Sequence, residues 1–267
     1  MQILLGPAGS PAKSTMEGIV AVKKLGLQAM EVQFSHGVKM SLLLAKQVGE
    51  TAKKEQIELS VHAPYFINLV SEEKRKIDES KKRILDSCER GHLFAWNRAT
   101  NIVFHPAYFG KLSKEQTYQR VKEEMRDIMS VIKEKKWNVR LAPETTGKHS
   151  AFGSLDETIA IAKELKCGLC IDLAHLYARN NGKIDYAEVL DKVNALKRDH
   201  LNFHFSGINY SSKGELNHLN LSKPEFEPFA RELLKRKINA TIISESPITW
   251  KDSLKMKKIF EKLGYKF

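Results

Sequence analysis

"VRLAPETTGKHSAFGSLDETIAIAKELKCGLCID", residues 139 to 172, contains one complete repeat of the architecture. "VRLAPE" (139 to 144) is a short apolar run that stops at a carboxylate, as a buried strand reaching a surface would. "SLDE" (154 to 157) then offers a capping box ahead of "TIAIAKELK", whose apolar residues fall at helical spacing. "GLCID" (168 to 172) is a second apolar run, ending at Asp172. Strand, helix and strand in that order imply parallel pairing through a right-handed crossover.

The unit recurs outward in both directions. Runs of the same kind stand at "QILLG" (2 to 6), "AMEVQF" (29 to 34), "IELSVH" (57 to 62), "NIVFH" (101 to 105), "LNFHF" (201 to 205) and "ATIISE" (240 to 245), each followed by a helical pattern. Eight strands, each with its own helix, fit a closed (β/α)8 TIM barrel of the α/β class better than an open sheet. At 267 residues the chain has the length of such a barrel, roughly 250 residues, and no linker or composition break divides it. Residues 1–267 are therefore expected to form a single domain. Gly26 and Gly264 sit where helices should end, and Ser71 before "EEK" is expected to cap the third helix.

Composition narrows the classes. No stretch approaches the roughly 18 apolar residues of a membrane span, and "MQILLGPAGS" lacks the features of a signal peptide. The expectation is a soluble, monomeric, cytoplasmic protein with no membrane partner, nucleoid-associated in a prokaryote. Three cysteines (Cys88, Cys167 and Cys170) are too few for a disulfide framework. The "CGLC" pair divides between a helix end and a strand, which disfavours a redox or metal role for it. The 44 Lys and Arg against 32 Asp and Glu give a net charge of +12, a field attractive to phosphates that makes nucleic acid the leading partner class.

In a βα barrel the chemistry gathers where the strands end, because side chains from several strands converge on one mouth. Strand three ends at His62, four at His105, five at Glu144, six at Asp172 with His175 three residues on, seven at His204 and eight at Glu245. A lone His or Glu at a strand end is commonly a loop anchor, but a run of six ligand-type ends around one cavity points to a shared metal site. Imidazoles mixed with carboxylates suit zinc, with manganese or iron as alternatives, whereas magnesium and calcium favour all-oxygen sets. One ion cannot use so many donors. Two or more ions bridged by a carboxylate would, and ions about 3.5 to 4 Å apart suit phosphodiester cleavage.

"VHAPYFINL", "FHPAYFG", "APETTG", "IDLAHLYA", "FHFSG" and "ISESP", spread over residues 30 to 250, resemble in order and spacing the endonuclease IV family of apurinic/apyrimidinic DNA repair enzymes. The resemblance implies zinc, two or three ions, with His62 and His105 on the first and Glu144 as bridge. It implies Asp172, His204 and Glu245 on a second, and His175 and His218 on a third. It further implies double-stranded DNA carrying abasic sites as partner, and incision 5′ to the lesion leaving a 3′-hydroxyl and a 5′ deoxyribose phosphate. Glu144 and Glu245 are then the catalytic carboxylates, Glu245 orienting or deprotonating the attacking water. Tyr65 and Phe66 would project from the rim as a wedge beside the bound strand.

The chain departs from the family in three places. The family has an aspartate two residues before the histidine of "GELNHL", where this chain has Leu216; Glu215 could substitute only by a local shift. The loop "FSHGVKM" lacks the family's arginine and offers His36 and Lys39 to the DNA instead. "GPAGS" keeps a glycine-rich turn without the family's histidine. Two other classes remain open. A sugar isomerase or epimerase of the same barrel superfamily needs one ion on Glu144, Asp172, His204 and Glu245, with the glutamates as acid and base. A binding module without catalysis would exploit only the Leu216 departure.

Overall fold

The computed structural model describes residues 1–267. Its strands are β1 (Ile3–Pro7), β2 (Ala29–Gln33), β3 (Glu58–His62), β4 (Thr100–Phe104), β5 (Val139–Pro143), β6 (Cys170–Asp172), β7 (Leu201–Phe205), β8 (Gly207–Ser211), β9 (Gly214–Leu219) and β10 (Ala240–Ser244). Its helices are α1 (Thr15–Lys24), α2 (Leu42–Glu55), α3 (Lys74–Phe94), α4 (Lys114–Glu134), α5 (Leu155–Leu165), α6 (Leu173–Arg179), α7 (Tyr186–Asn194), α8 (Phe226–Lys235) and α9 (Trp250–Lys262). All eight expected strands are present within two residues of their expected limits. They form two parallel arcs, β1-β10-β7-β6 and β2-β3-β4-β5.

The arcs close into a barrel at two narrow seams. Ala8 bridges Glu31 at one and Glu144 bridges Cys170 at the other. The first seam depends on Gly6, because a Cβ there would come within 1.8 Å of the Ala29 carbonyl oxygen. Period-two alternation sorts the strand side chains. Leu5, Met30, Val32, Val61, Phe104, Ile171 and Phe203 turn outward and join the helices in one core cluster of 55 buried residues. Leu4, Ala29 and Ile243 on one side, and Val103, Ala142 and Cys170 on the other, turn inward as small apolar layers. The next inward position along several strands carries the polar set, so the site rests on the floor that these layers make.

Two expectations need correction. The rule of one helix per strand fails after β6, which is followed by both α6 and α7, and after β7, where the β8–β9 hairpin precedes α8. Ser71 does not cap α3: Glu73 holds the cap position without a side-chain hydrogen bond, and Ser71 Oγ accepts only from the Glu73 amide. The capping box at Ser154 and Glu157 is present, and Gly26 and Gly264 follow their helices at φ +68° and +89°.

Candidate metal centre

Every candidate donor reaches the barrel mouth from a strand end or from the segment just beyond it. His62 ends β3 and Asp172 ends β6, His204 lies opposite Asp172 in register on β7, and His105, Glu144 and Glu245 each stand one residue past a strand. Asp172 also caps α6, its Oδ1 accepting from the His175 amide at 2.6 Å, which fixes His175 one turn above the floor. His218 arrives separately on β9, its ring centroid 5.2 Å from that of His175.

Glu144 is wholly buried at the centre. Its Oε2 lies 3.2 Å from His62 Nε2 and 2.8 Å from His105 Nε2, while Oε1 lies 2.9 Å from His204 Nδ1. Glu245 Oε1 stands 3.3 Å from the same His204 Nδ1, and its Oε2 stands 3.7 Å from His218 Nε2. Donor atoms fall into overlapping groups: His62, His105 and Glu144; Glu144, Asp172, His204 and Glu245; and Asp172, His175 and His218.

The tautomers point the same way. His62 Nδ1 donates to the Ala63 carbonyl at 2.8 Å, and His175 Nδ1 to the Thr145 carbonyl at 2.9 Å. His218 Nδ1 meets Ser206 Oγ at 2.7 Å, and His204 Nε2 faces Glu31 Oε2 at 3.2 Å. In each ring one nitrogen is thus occupied by an outer partner, leaving the other as a lone pair aimed into the centre, the arrangement of metal-ligating histidines. Asp172 Oδ2 and His105 Nε2 are buried with no hydrogen-bond partner at all. His105 Nε2 is close to Glu144 but not aligned for a hydrogen bond, so the two atoms converge on a common point. Leaving such groups buried and unpaired costs several kcal/mol per ion, which a shared cation offsets. The donors present therefore fit divalent metal.

Electrostatics agree. Burial alone would push the Glu144 carboxyl up, but the charges of His204 and His105 outweigh it and hold the group well below the usual range. Glu245 is kept low in the same way, burial being overcome chiefly by His204. Asp172 is raised, because burial exceeds what His175 returns.

Two buried groups escaped the sequence reading or were read only in part. Glu31, 1% exposed, accepts from Ser60 Oγ at 2.8 Å and Gln33 Nε2 at 2.9 Å while it orients His204. Its only signal was one acid inside the apolar "AMEVQF". Cys170 Sγ comes within range of Glu144 and His204, but burial pushes its thiol far up, so it stays protonated. Cys167 is also buried, and no disulfide joins the pair.

The rim residues lie where expected. Tyr65 and Phe66 are exposed, at 54% and 67%, on the loop after β3, and His36 and Lys39 are exposed on the loop after β2. A cavity of about 210 Å³ opens among them, lined by Gln33, Tyr65, His62, His105, His175, His218 and Glu245. A larger cavity of about 580 Å³, beside Trp137 and Lys136 at the opposite end of the barrel, has no His, Asp or Glu in its lining and cannot be the metal site.

The pattern of one family, described as xylose isomerase-like TIM barrel, matches residues 19–261. An uncharacterized protein of Methanocaldococcus jannaschii is 36% identical over 98% of both chains. An apurinic-apyrimidinic endonuclease of Caenorhabditis elegans is 30% identical over 44% of this chain and 30% of its own length. Among solved structures, a D-tagatose 3-epimerase-like protein superposes with a TM-score of 0.73 at 18% identity, over 98% of this chain and 96% of that one, a likeness of fold.

Proposed function

The chain belongs to the xylose isomerase-like TIM barrel family, and within it we propose that the protein is a metal-dependent nuclease that hydrolyses the phosphodiester 5′ to an abasic site in duplex DNA. One observation carries this reading: the two oxygens of Glu144 face different donors, Oε2 toward His62 and His105 and Oε1 toward His204. A carboxylate between two donor sets suits a pair of ions, and paired ions suit in-line displacement at phosphorus. The partial likeness to an apurinic-apyrimidinic endonuclease and the net charge of +12 support the same substrate class.

His62, His105 and Glu144 would hold one ion, and Glu144, Asp172, His204 and Glu245 another. Bound zinc or manganese would lower the pKa of water toward neutrality and offset charge developing on the phosphate. The chain's own groups do the remainder. Glu245, held ionised at the cavity wall, is placed to orient the attacking water and take its proton. Glu31 fixes the His204 ring. Tyr65 and Phe66 stack beside the lesion, where the missing base makes extrusion of the sugar cheap, and Lys39 and His36 meet the flanking phosphates.

The test is incision of a duplex oligonucleotide bearing one abasic analogue by zinc- or manganese-loaded protein. Cleavage 5′ to the lesion that disappears in Glu144→Gln is the expected result, and no incision with either metal would sink the reading. A second reading has its own support, since Glu144, Asp172, His204 and Glu245 alone form a donor group sufficient for one ion. In an epimerase the two glutamates would move a proton at the carbon beside a carbonyl. That reading leaves His62, His105 and His218 without a task. Interconversion of free ketoses without incision would favour it.

A further inference from the structure

Side chains alternate along a regular strand, so residues 215 and 218 of β9 should face opposite ways. They do not. β8 pairs with β9 as Asn209 with Asn217 and Tyr210 with Glu215, which leaves Leu216 as an extra residue, a β-bulge. The bulge turns Leu216 outward, 60% exposed, and lets Glu215 and His218 face the mouth together. Glu215 Oε2 reaches to 3.1 Å from His175 Nε2.

The carboxylate is gripped from its other side. The Gly147 amide donates to Glu215 Oε2 at 2.9 Å, and a Cβ at position 147 would lie 2.2 Å from that same oxygen, so only glycine leaves it room. The loop carrying Gly147 is itself tied down by Arg179 Nη1, which donates to the Thr146, Lys148 and Ala151 carbonyls. With His175 Nδ1 bound to the Thr145 carbonyl, Nε2 turns a lone pair toward an acceptor oxygen. Two lone pairs at that distance repel unless a cation lies between them. Ligands held at zinc bond lengths and a tetrahedral angle stand about 3.4 Å apart, close to the spacing found. His218, its Nδ1 held by Ser206, turns Nε2 toward the same space, and its donor atom lies within 4.8 Å of those of His175 and Asp172.

We propose that Glu215, delivered by the bulge at Leu216, completes a further divalent-metal position with His175 and His218. The proposal rests on the reading of Glu144 as the bridge of a two-ion centre and adds a third position to it, built on the hairpin. Residue 216 supplies no ligand; its role is to be the extra residue.

The experiment counts ions. Protein stripped of metal, reloaded with zinc and freed of excess by gel filtration is measured by mass spectrometry. The wild type should hold close to three ions per chain, Glu215→Gln close to two, and Leu216→Ala, which keeps the bulge, close to three. Three ions in Glu215→Gln would overturn the proposal while leaving the Glu144 pair standing, and so would two in the wild type. One or none in the wild type would overturn both. Should Glu215→Gln fail to fold, Glu215→Asp reads the same position as a loss of at least tenfold in affinity for the last ion under chelator competition, and unchanged affinity there would also refute the role of Glu215.

Discussion

His62 and His105 stand where two neighbouring barrel strands end, whereas Glu215 and His218 stand on a hairpin laid over the mouth. The first pair inherits its position from a parallel ladder packed between core layers. The second depends on a bulge, on one glycine and on an arginine holding the loop beneath. Sites built on strands hold geometry more tightly than sites built on loops. The two sides of the centre should therefore differ in how firmly they bind and in what disturbs them.

Glu144→Gln is the largest expected break, because it removes the group that both sides of the pair share. Metal content should fall by at least one ion and incision by about a thousandfold or more, measured as ions per chain and as single-turnover rate. A loss under tenfold would mean that the carboxylate is not the bridge.

Acidity should separate the two sides next. In protein stripped of metal, burial works to lower the His62 pKa, but its hydrogen bond to Glu144 and that carboxylate's charge win and raise it to about 9. Burial is likewise overcome at His175, chiefly by Asp172 and Glu215, and its pKa rises to about 10. An entering metal must displace these protons, so affinity should climb with pH by up to about tenfold per unit for each proton released. The rise should level near pH 9 on the strand side and near pH 10 on the hairpin side, as read by chelator competition. The sign is opposite for the stability of the stripped fold: the His62 proton stabilises it fully below the ordinary value of 6.5, and that contribution is lost as pH rises through about 9. Affinity independent of pH would remove the distinction.

Serine at both Tyr65 and Phe66 should weaken binding of an abasic duplex by about 10- to 100-fold with metal content unchanged, as expected for lost stacking. Unchanged binding in a fluorescence titration would take these side chains out of the interface. Gly147→Ala is the finest probe. By crowding Glu215 Oε2 it should loosen only the hairpin ion, by roughly tenfold, which a two-phase chelator titration resolves. Equal weakening of every ion would show that the two sides act as one unit.

The same contrast explains how much was legible in the sequence. Strand-end donors could be read because alternation and termination are local: an apolar run that stops at His62, Glu144 or Asp172 announces both the strand and the side chain at its end. Glu31 was harder, since a charged residue inside a strand gives no hint of which partner will meet it across the barrel. The hairpin was harder still. "GINYSSKGELNHL" reads as a loop, and the bulge at Leu216 reverses the facing that strict alternation assigns to Glu215. Pairing register is a long-range property, and one extra residue inverts every side chain beyond it.

The central claim is that Glu144 lies between two ions. Anomalous diffraction at the zinc edge from zinc-loaded crystals tests it most directly. The account predicts two peaks flanking the Glu144 carboxylate, about 3.5 to 4 Å apart, with His62 and His105 on one and Asp172, His204 and Glu245 on the other. A single peak held by Glu144, Asp172, His204 and Glu245, with His62 and His105 ligating nothing, would contradict it.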